Sequence, residues 1–328
     1  MMKTSSGLAT LALLSTGVVA WVLLPRPIES SPAAAENTAT VAADPWARPD
    51  HVDAAAFFYD RFETFDSSDG LPSDKTTTVL PVGDDVWVGT DRGLARRRDG
   101  AWSRWSQKDG LAHDYVTSLA LDPTSGDLWV STLGGLSVLS GGAFETYTQI
   151  DSGLANDVVY QVAVHDGTVW AATAAGASRL DLRTGSWQLF DHENSIMHEP
   201  WCYSVTHGGG RVWICVWGGG IVELEDATGQ WREYRDPYKE MEIDLLRDDA
   251  PIHDVTSWIA WEGGLLWQAT YFCLSRYDGR QWRTFRRDNT GLPGDFINHV
   301  AALGRVAFLG TDEGFGVTDG ETAVTYRR

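Results

Sequence analysis

The chain has 328 residues, 43% of them hydrophobic, which is ample for a packed core. A formal net charge of −19 excludes the basic footprint that nucleic-acid binding needs. The three cysteines have no CxxC spacing and no neighbouring histidine set, so neither a zinc site nor a disulfide framework is indicated.

Residues 7–24 are almost wholly apolar and follow Lys3. That length falls between a long signal-peptide core and a short membrane helix, so residues 1–24 read either as a cleaved signal peptide or as a signal anchor. Ala33-Ala34-Ala35 offers a small-residue cleavage site, and no Cys follows the run to carry a lipid. Both readings place the rest of the chain outside the cytoplasm, with membrane anchoring by residues 7–24 left open. Residues 25–55 then turn to Pro, Ala, Ser, Thr and Glu without periodicity, the composition of a disordered linker. The folded part is expected over residues 56–328.

That part is organised around Asp85-Val86-Trp87-Val88-Gly89-Thr90, followed by the turn and strand Gly93-Leu94-Ala95-Arg96. Versions of it recur to the C-terminus. Their core aromatics, Trp87, Trp129, Trp170, Trp213, Trp267 and Phe308, step by 42, 41, 43, 54 and 41 positions. A fixed period near forty residues means stacked or radially arranged units. Each unit reads as four short strands: one after a turn such as Gly70-Leu71-Pro72, a second bearing the core aromatic, a third after a Gly turn, and a last with paired aromatics such as Trp102/Trp105 or Trp187/Phe190. Four-stranded units with no helical pattern between them predict an all-β fold, a β-propeller of six blades.

The pattern Gly-Leu-Pro, then Val-Trp-Val-Gly-Thr-x-x-Gly-Leu-x-Arg, then Trp-x-x-Trp resembles the two-component-regulator propeller repeat over residues 59–328. That resemblance implies a periplasmic sensor portion of a hybrid histidine kinase, or a free-standing exported propeller. Unlike the kinase-linked members, the sequence runs through about six repeats to Tyr326-Arg327-Arg328 with no second membrane helix, β-sandwich or kinase. No phosphorelay of its own is therefore expected. Exported propeller lyases and lactonases are the alternative family, although their repeats look different.

Few residues suggest chemistry. Asp74, Asp157, Asp254 and Asp295 each stand thirteen before a core aromatic, and Asp114 joins them once a longer turn is allowed for. A ring of carboxylates could hold a hard cation, or each could accept backbone N–H bonds at its own turn. The recurring Thr90, Thr132, Thr173, Thr270 and Thr311 read as turn-closing hydroxyls. No catalytic constellation and no cofactor motif is found.

The repeat is broken in its fourth and fifth units, where Trp201, Trp217, Tyr271 and Phe272 replace small or polar residues. Sequence rules tend to fail at functional sites. The expected site is therefore an aromatic wall of these four, with Glu199, His253 and Asp254 as polar contacts and the segment 237–250 as an acidic lid. Packing between blades is the competing use of the same aromatics. The function this supports is an extracytoplasmic, sensor-like module binding a small molecule or glycan, or an envelope protein; a scaffold and an exported enzyme are the alternatives.

Two further expectations concern the frame. Phe62-Glu63-Thr64-Phe65 is expected to close the ring by adding to the last blade, beside or in place of Thr322-Ala323-Val324-Thr325. If the hairpin of the fourth unit turns on Gly208-Gly209, Cys202 faces Cys215 within disulfide range. A three-residue turn would instead put the sulfurs on opposite faces.

Overall fold

The structure is a computed structural model, which describes residues 10–12, 20–23, 62–235 and 254–327. Six four-stranded antiparallel sheets follow one another along the chain, each pairing its strands in sequence order. Their first strands are Thr76–Val82, Val116–Leu121, Val159–His165, Cys202–Gly208, Thr256–Glu262 and Ile297–Leu303. We call the sheets blades I to VI. Each first strand packs against that of the next blade, from I to VI, which makes these the inner strands of a β-propeller.

The second strand of each blade carries the core aromatic and is covered on both faces. Asp85–Thr90 and Leu265–Thr270, for example, are buried at every position. The short outer strands alternate between exposed and half-buried residues, as in Ala101–Trp105, because one face meets water. The cores lie between blades. Trp170 and Phe190 of blade III pack with Val205, Ile214 and Val222 of blade IV; Trp213 and Cys215 of blade IV pack with Ile259, Leu266 and Trp282 of blade V.

Every inner strand has a β-bulge at its start, where the register skips one residue: Thr77, Thr117, Tyr160, Tyr203, Ser257 and Asn298. A bulge leaves one residue unpaired and re-aims its side chain.

The position of the turn overturns the facing of the two cysteines. The turn sits on Gly209-Gly210, since Gly208 pairs with Arg211, which sets Ser204 opposite Cys215; the skipped Tyr203 then sets Cys202 opposite Val216. The two thiols belong to different inter-blade cores. Cys202 Sγ lies 3.6 Å from Met197 Sδ, and Cys215 Sγ donates to Thr256 O at 3.6 Å. All three cysteines are free and buried, and burial pushes the Cys215 thiol up to about 12.

Ring closure differs from expectation too. The outer strand of blade VI is Ala323–Arg327 itself, and Glu63–Phe65 pairs instead with Ala20–Leu23, which pairs with Thr10–Ala12. Among the described residues no helix is long and apolar enough to cross a membrane.

Candidate functional site

One axial face collects the starts of the inner strands and the ends of the second strands, since Val159 pairs with Thr173, Cys202 with Val216, Thr256 with Thr270 and Ile297 with Thr311. Most of the polar residues that recur there hold the turns. Asp74, Asp114, Asp157 and Asp295 each accept the backbone N–H of a residue seven or eight earlier, at 2.7–2.8 Å. Those carboxylates are thus tied to their own connections, and no group of three metal-ligating side chains occurs among the described residues. Thr90, Thr132, Thr173, Thr270 and Thr311 each donate to the carbonyl three residues on, at 2.7–2.9 Å.

Blade IV has Val216 where the other blades have that threonine. Its turn is closed by backbone alone, with Gly219 N donating to Val216 O at 3.0 Å. Gly218 at φ +67° and Gly220 at φ +73° adopt the left-handed conformation that glycine tolerates. The loop so formed presents Trp217, half-buried, at the axial mouth.

Around Trp217 the rings form a continuous arc. Tyr160 and Tyr203 are stacked at 4.4 Å and 7° between planes. Tyr203 meets Trp217 at 4.8 Å, and Trp217 meets Tyr271 edge-on at 5.7 Å and 71°. Tyr271 then stacks on Phe296 at 4.2 Å and 8°. Five rings thus link blades III to VI, with Phe296 39% exposed. Stacked and edge-on pairs at these spacings are favourable for the ring quadrupoles, so the arc is pre-formed. Burial, and after it Tyr160, push the Tyr203 phenol up to about 12; burial also raises Tyr271. Both phenols are therefore neutral hydrogen-bonding groups near neutral pH.

The structure brings together Trp217 and Tyr271 of the expected wall. Trp201 stands 49% exposed with its backbone oxygen accepting from Trp217 N at 2.9 Å, and its ring joins no neighbour among the described residues. Phe272 is half-buried and donates its backbone N–H to Thr270 Oγ1 at 3.1 Å. Glu199 is exposed. Asp254 lies 3.8 Å from Arg235 Nε, and its carbonyl accepts from Gly220 N, which ties the blade V entry to the Trp217 loop. His253 and the segment 237–250 lie outside the described residues.

Tyr160, Tyr203 and Phe296 complete the arc and were not expected. For the two tyrosines the signal appears only once the bulge is known. At the bulge position Thr117 and Ser257 donate to the next blade, to Val159 O at 2.6 Å and Ile297 O at 2.7 Å. Tyrosine at the same position in blades III and IV departs from that use.

No family model matches the sequence, and no curated protein does. Solved structures do match. The extracellular domain of the hybrid two-component system BT4673 from B. thetaiotaomicron superposes with a TM-score of 0.60 at 16% identity, over 96% of this chain and 38% of that one. The corresponding domain of BT3049 from the same organism gives 0.51 at 15% identity, over 80% and 41%. An ancestral GH74 enzyme gives 0.55 at 17% identity, over 74% and 36%. The chain spans about two fifths of the length of the two-component-system domains. These likenesses show the fold alone, which is shared with extracellular domains of two-component systems and with an enzyme. Fold alone does not carry an activity across.

Proposed function

We propose that the chain is an extracytoplasmic, sensor-like binding module whose ligand lies along the arc from Tyr160 to Phe296. The observation that carries this reading is the arc itself. Two stacked pairs are joined by a tryptophan, tilted against Tyr203 and edge-on to Tyr271, on a loop that among the described residues only blade IV builds. Two of its tyrosines occupy the position from which blades II and V bond to the next blade. Nothing in the ring requires five aromatics on one face; the cores already have their own.

Successive centroids lie 4.2–5.7 Å apart, a spacing that suits an extended ligand of flat or ring-shaped units, such as a short glycan. Aromatic faces bind sugars by apolar contact, and neutral phenols add hydrogen bonds. The net charge of −19 favours a neutral or cationic ligand over an anionic one. The two-component-system neighbours, described as extracellular domains, support the location and the sensor-like character.

The test is a screen of neutral and cationic oligosaccharides against wild type, Trp217→Ala and Tyr203→Ala, with melting followed in parallel. The expected outcome is a ligand whose affinity falls at least tenfold in both variants, while melting shifts by no more than a few degrees. A ligand that binds both variants as well as wild type refutes the site.

A further inference from the structure

The five joints between consecutive blades are alike, and the sixth is not. Blades I and II share one core, through Trp87, Leu94, Val116 and Leu128. The joints II/III, III/IV, IV/V and V/VI share theirs in the same way. Between blades VI and I there is no shared core among the described residues. Instead the outward face of blade VI (Val306, Phe308, Phe315, Val317) and the facing side of blade I (Leu71, Val86, Val88, Ala95) form two separate buried clusters.

The inner strands agree. Gln161 Oε1 accepts from Val205 N at 2.9 Å across joint III/IV, and Ser204 Oγ accepts from Ile259 N at 3.0 Å across IV/V. In blade VI the position of Gln161 and Ser204 is held by His299, whose recorded ring contact is back to Trp258 of blade V at 4.3 Å.

The outer strands identify what stands between. Along the rim, the last aromatic of one outer strand meets the first of the next: Tyr147 with Trp187, Phe190 with Trp231, Tyr234 with Trp282, at 5.5–5.7 Å. At the odd joint this relay takes one extra step. Tyr326 of blade VI meets Phe62 at 5.6 Å, and Phe65 meets Trp102 of blade I at 5.8 Å. Phe62 and Phe65 therefore hold the places of a complete outer strand. The turn after it is the repeat's own: Asp66 N donates to Asp69 Oδ2 at 2.9 Å, as Ser106 N does to Asp109 Oδ2 at 2.9 Å.

We infer that the ring has a seventh position, whose outer strand is Glu63–Phe65 and whose inward strands are supplied by Thr10–Ala12 and Ala20–Leu23 of the chain's own N-terminal run. The described pairing carries the assignment. Ala20–Leu23 is laddered on Glu63–Phe65, Thr10–Ala12 on Ala20–Leu23, and Thr10–Ala12 lies against the inner strand of blade I and the second strand of blade VI. An apolar run suits this place, because two apolar faces must be covered and an open edge must be paired. A run folded here cannot span a membrane at the same time.

The full chain carrying Val22→Cys with Glu63→Cys tests this, with Trp21→Cys/Thr64→Cys as a second pair, since both pairs face each other in the ladder. Directly opposed residues lie within disulfide range, and the three native thiols are buried. Mild oxidation followed by peptide mapping is expected to show an intrachain link at one or both pairs. Links found only between chains assign the position to a second copy and overturn the inference. No intrachain link at either pair also overturns it.

Discussion

At the start of the inner strand in blade II, Thr117 donates to the carbonyl of Val159 in the next blade. One blade further on, the same position is Tyr160, which stacks on Tyr203 in the blade after that. Four blades thus use one backbone feature, the bulge, for two different purposes. In blades II and V the bulge residue fastens one blade to its neighbour. In blades III and IV it contributes a ring to the axial mouth. The joint III/IV is still fastened, because Gln161 accepts both Val205 N and the Ser204 hydroxyl. A repeat can thus surrender one contact per blade to a binding surface when a second contact spans the same joint.

If that division holds, substitutions in the joints should cost stability and those in the arc should not. The largest effect is expected from Trp213→Ala. Its ring is fully buried in the core between blades IV and V, against Trp261, Tyr234 and Tyr277. Truncating a buried tryptophan costs about 3–5 kcal/mol, read as a fall in denaturation midpoint at unchanged slope. A loss below about 1 kcal/mol would mean that this joint is not a stabilising core.

A smaller effect should come from acid. Burial lowers the His299 imidazole to about 4 from its ordinary 6.5. The fold thus favours the neutral ring, and its contribution is present above about pH 6.5 and lost as pH falls toward 4. His299→Gln is expected to melt at a temperature that declines less steeply over that window than wild type. Parallel declines would show that protonation at Trp258–His299 plays no part, leaving acid sensitivity to carboxylates elsewhere.

What the sequence revealed and what it hid have one physical cause. Features that repeat were legible: the core aromatics, the turn threonines, the aspartates, and Phe62-x-x-Phe65 as an outer strand. Each was visible because five or six copies obey the same local need. The bulge was not legible, because it leaves no residue type of its own; it is held by Thr, Tyr, Ser and Asn in turn. Without it, an inner strand reads as plain alternation, and every residue before the skip is placed one step wrong. That error hid Tyr160 and Tyr203; the facing of Cys202 and Cys215 failed for a different reason, because the turn sits on Gly209-Gly210 and not on Gly208-Gly209. The breaks at Trp217 and Tyr271 were legible because loops change residue type openly.

The smallest expected effect sharpens the arc against the wall drawn from sequence. Trp201 and Trp217 are joined by a backbone hydrogen bond, so they sit at the same mouth, but only the Trp217 ring is held by neighbours on both sides. A tryptophan 49% exposed and without a ring partner contributes little to folding, within about 0.5 kcal/mol for a surface substitution. Its loss should also matter less for a ligand bound along the arc, because an unheld ring must be ordered on binding and that costs affinity. Trp201→Ala is therefore expected to leave melting unchanged and to weaken the ligand by less than Trp217→Ala does, measured by titration calorimetry on both variants. Equal losses would place Trp201 in the binding surface and extend the arc beyond the five stacked rings.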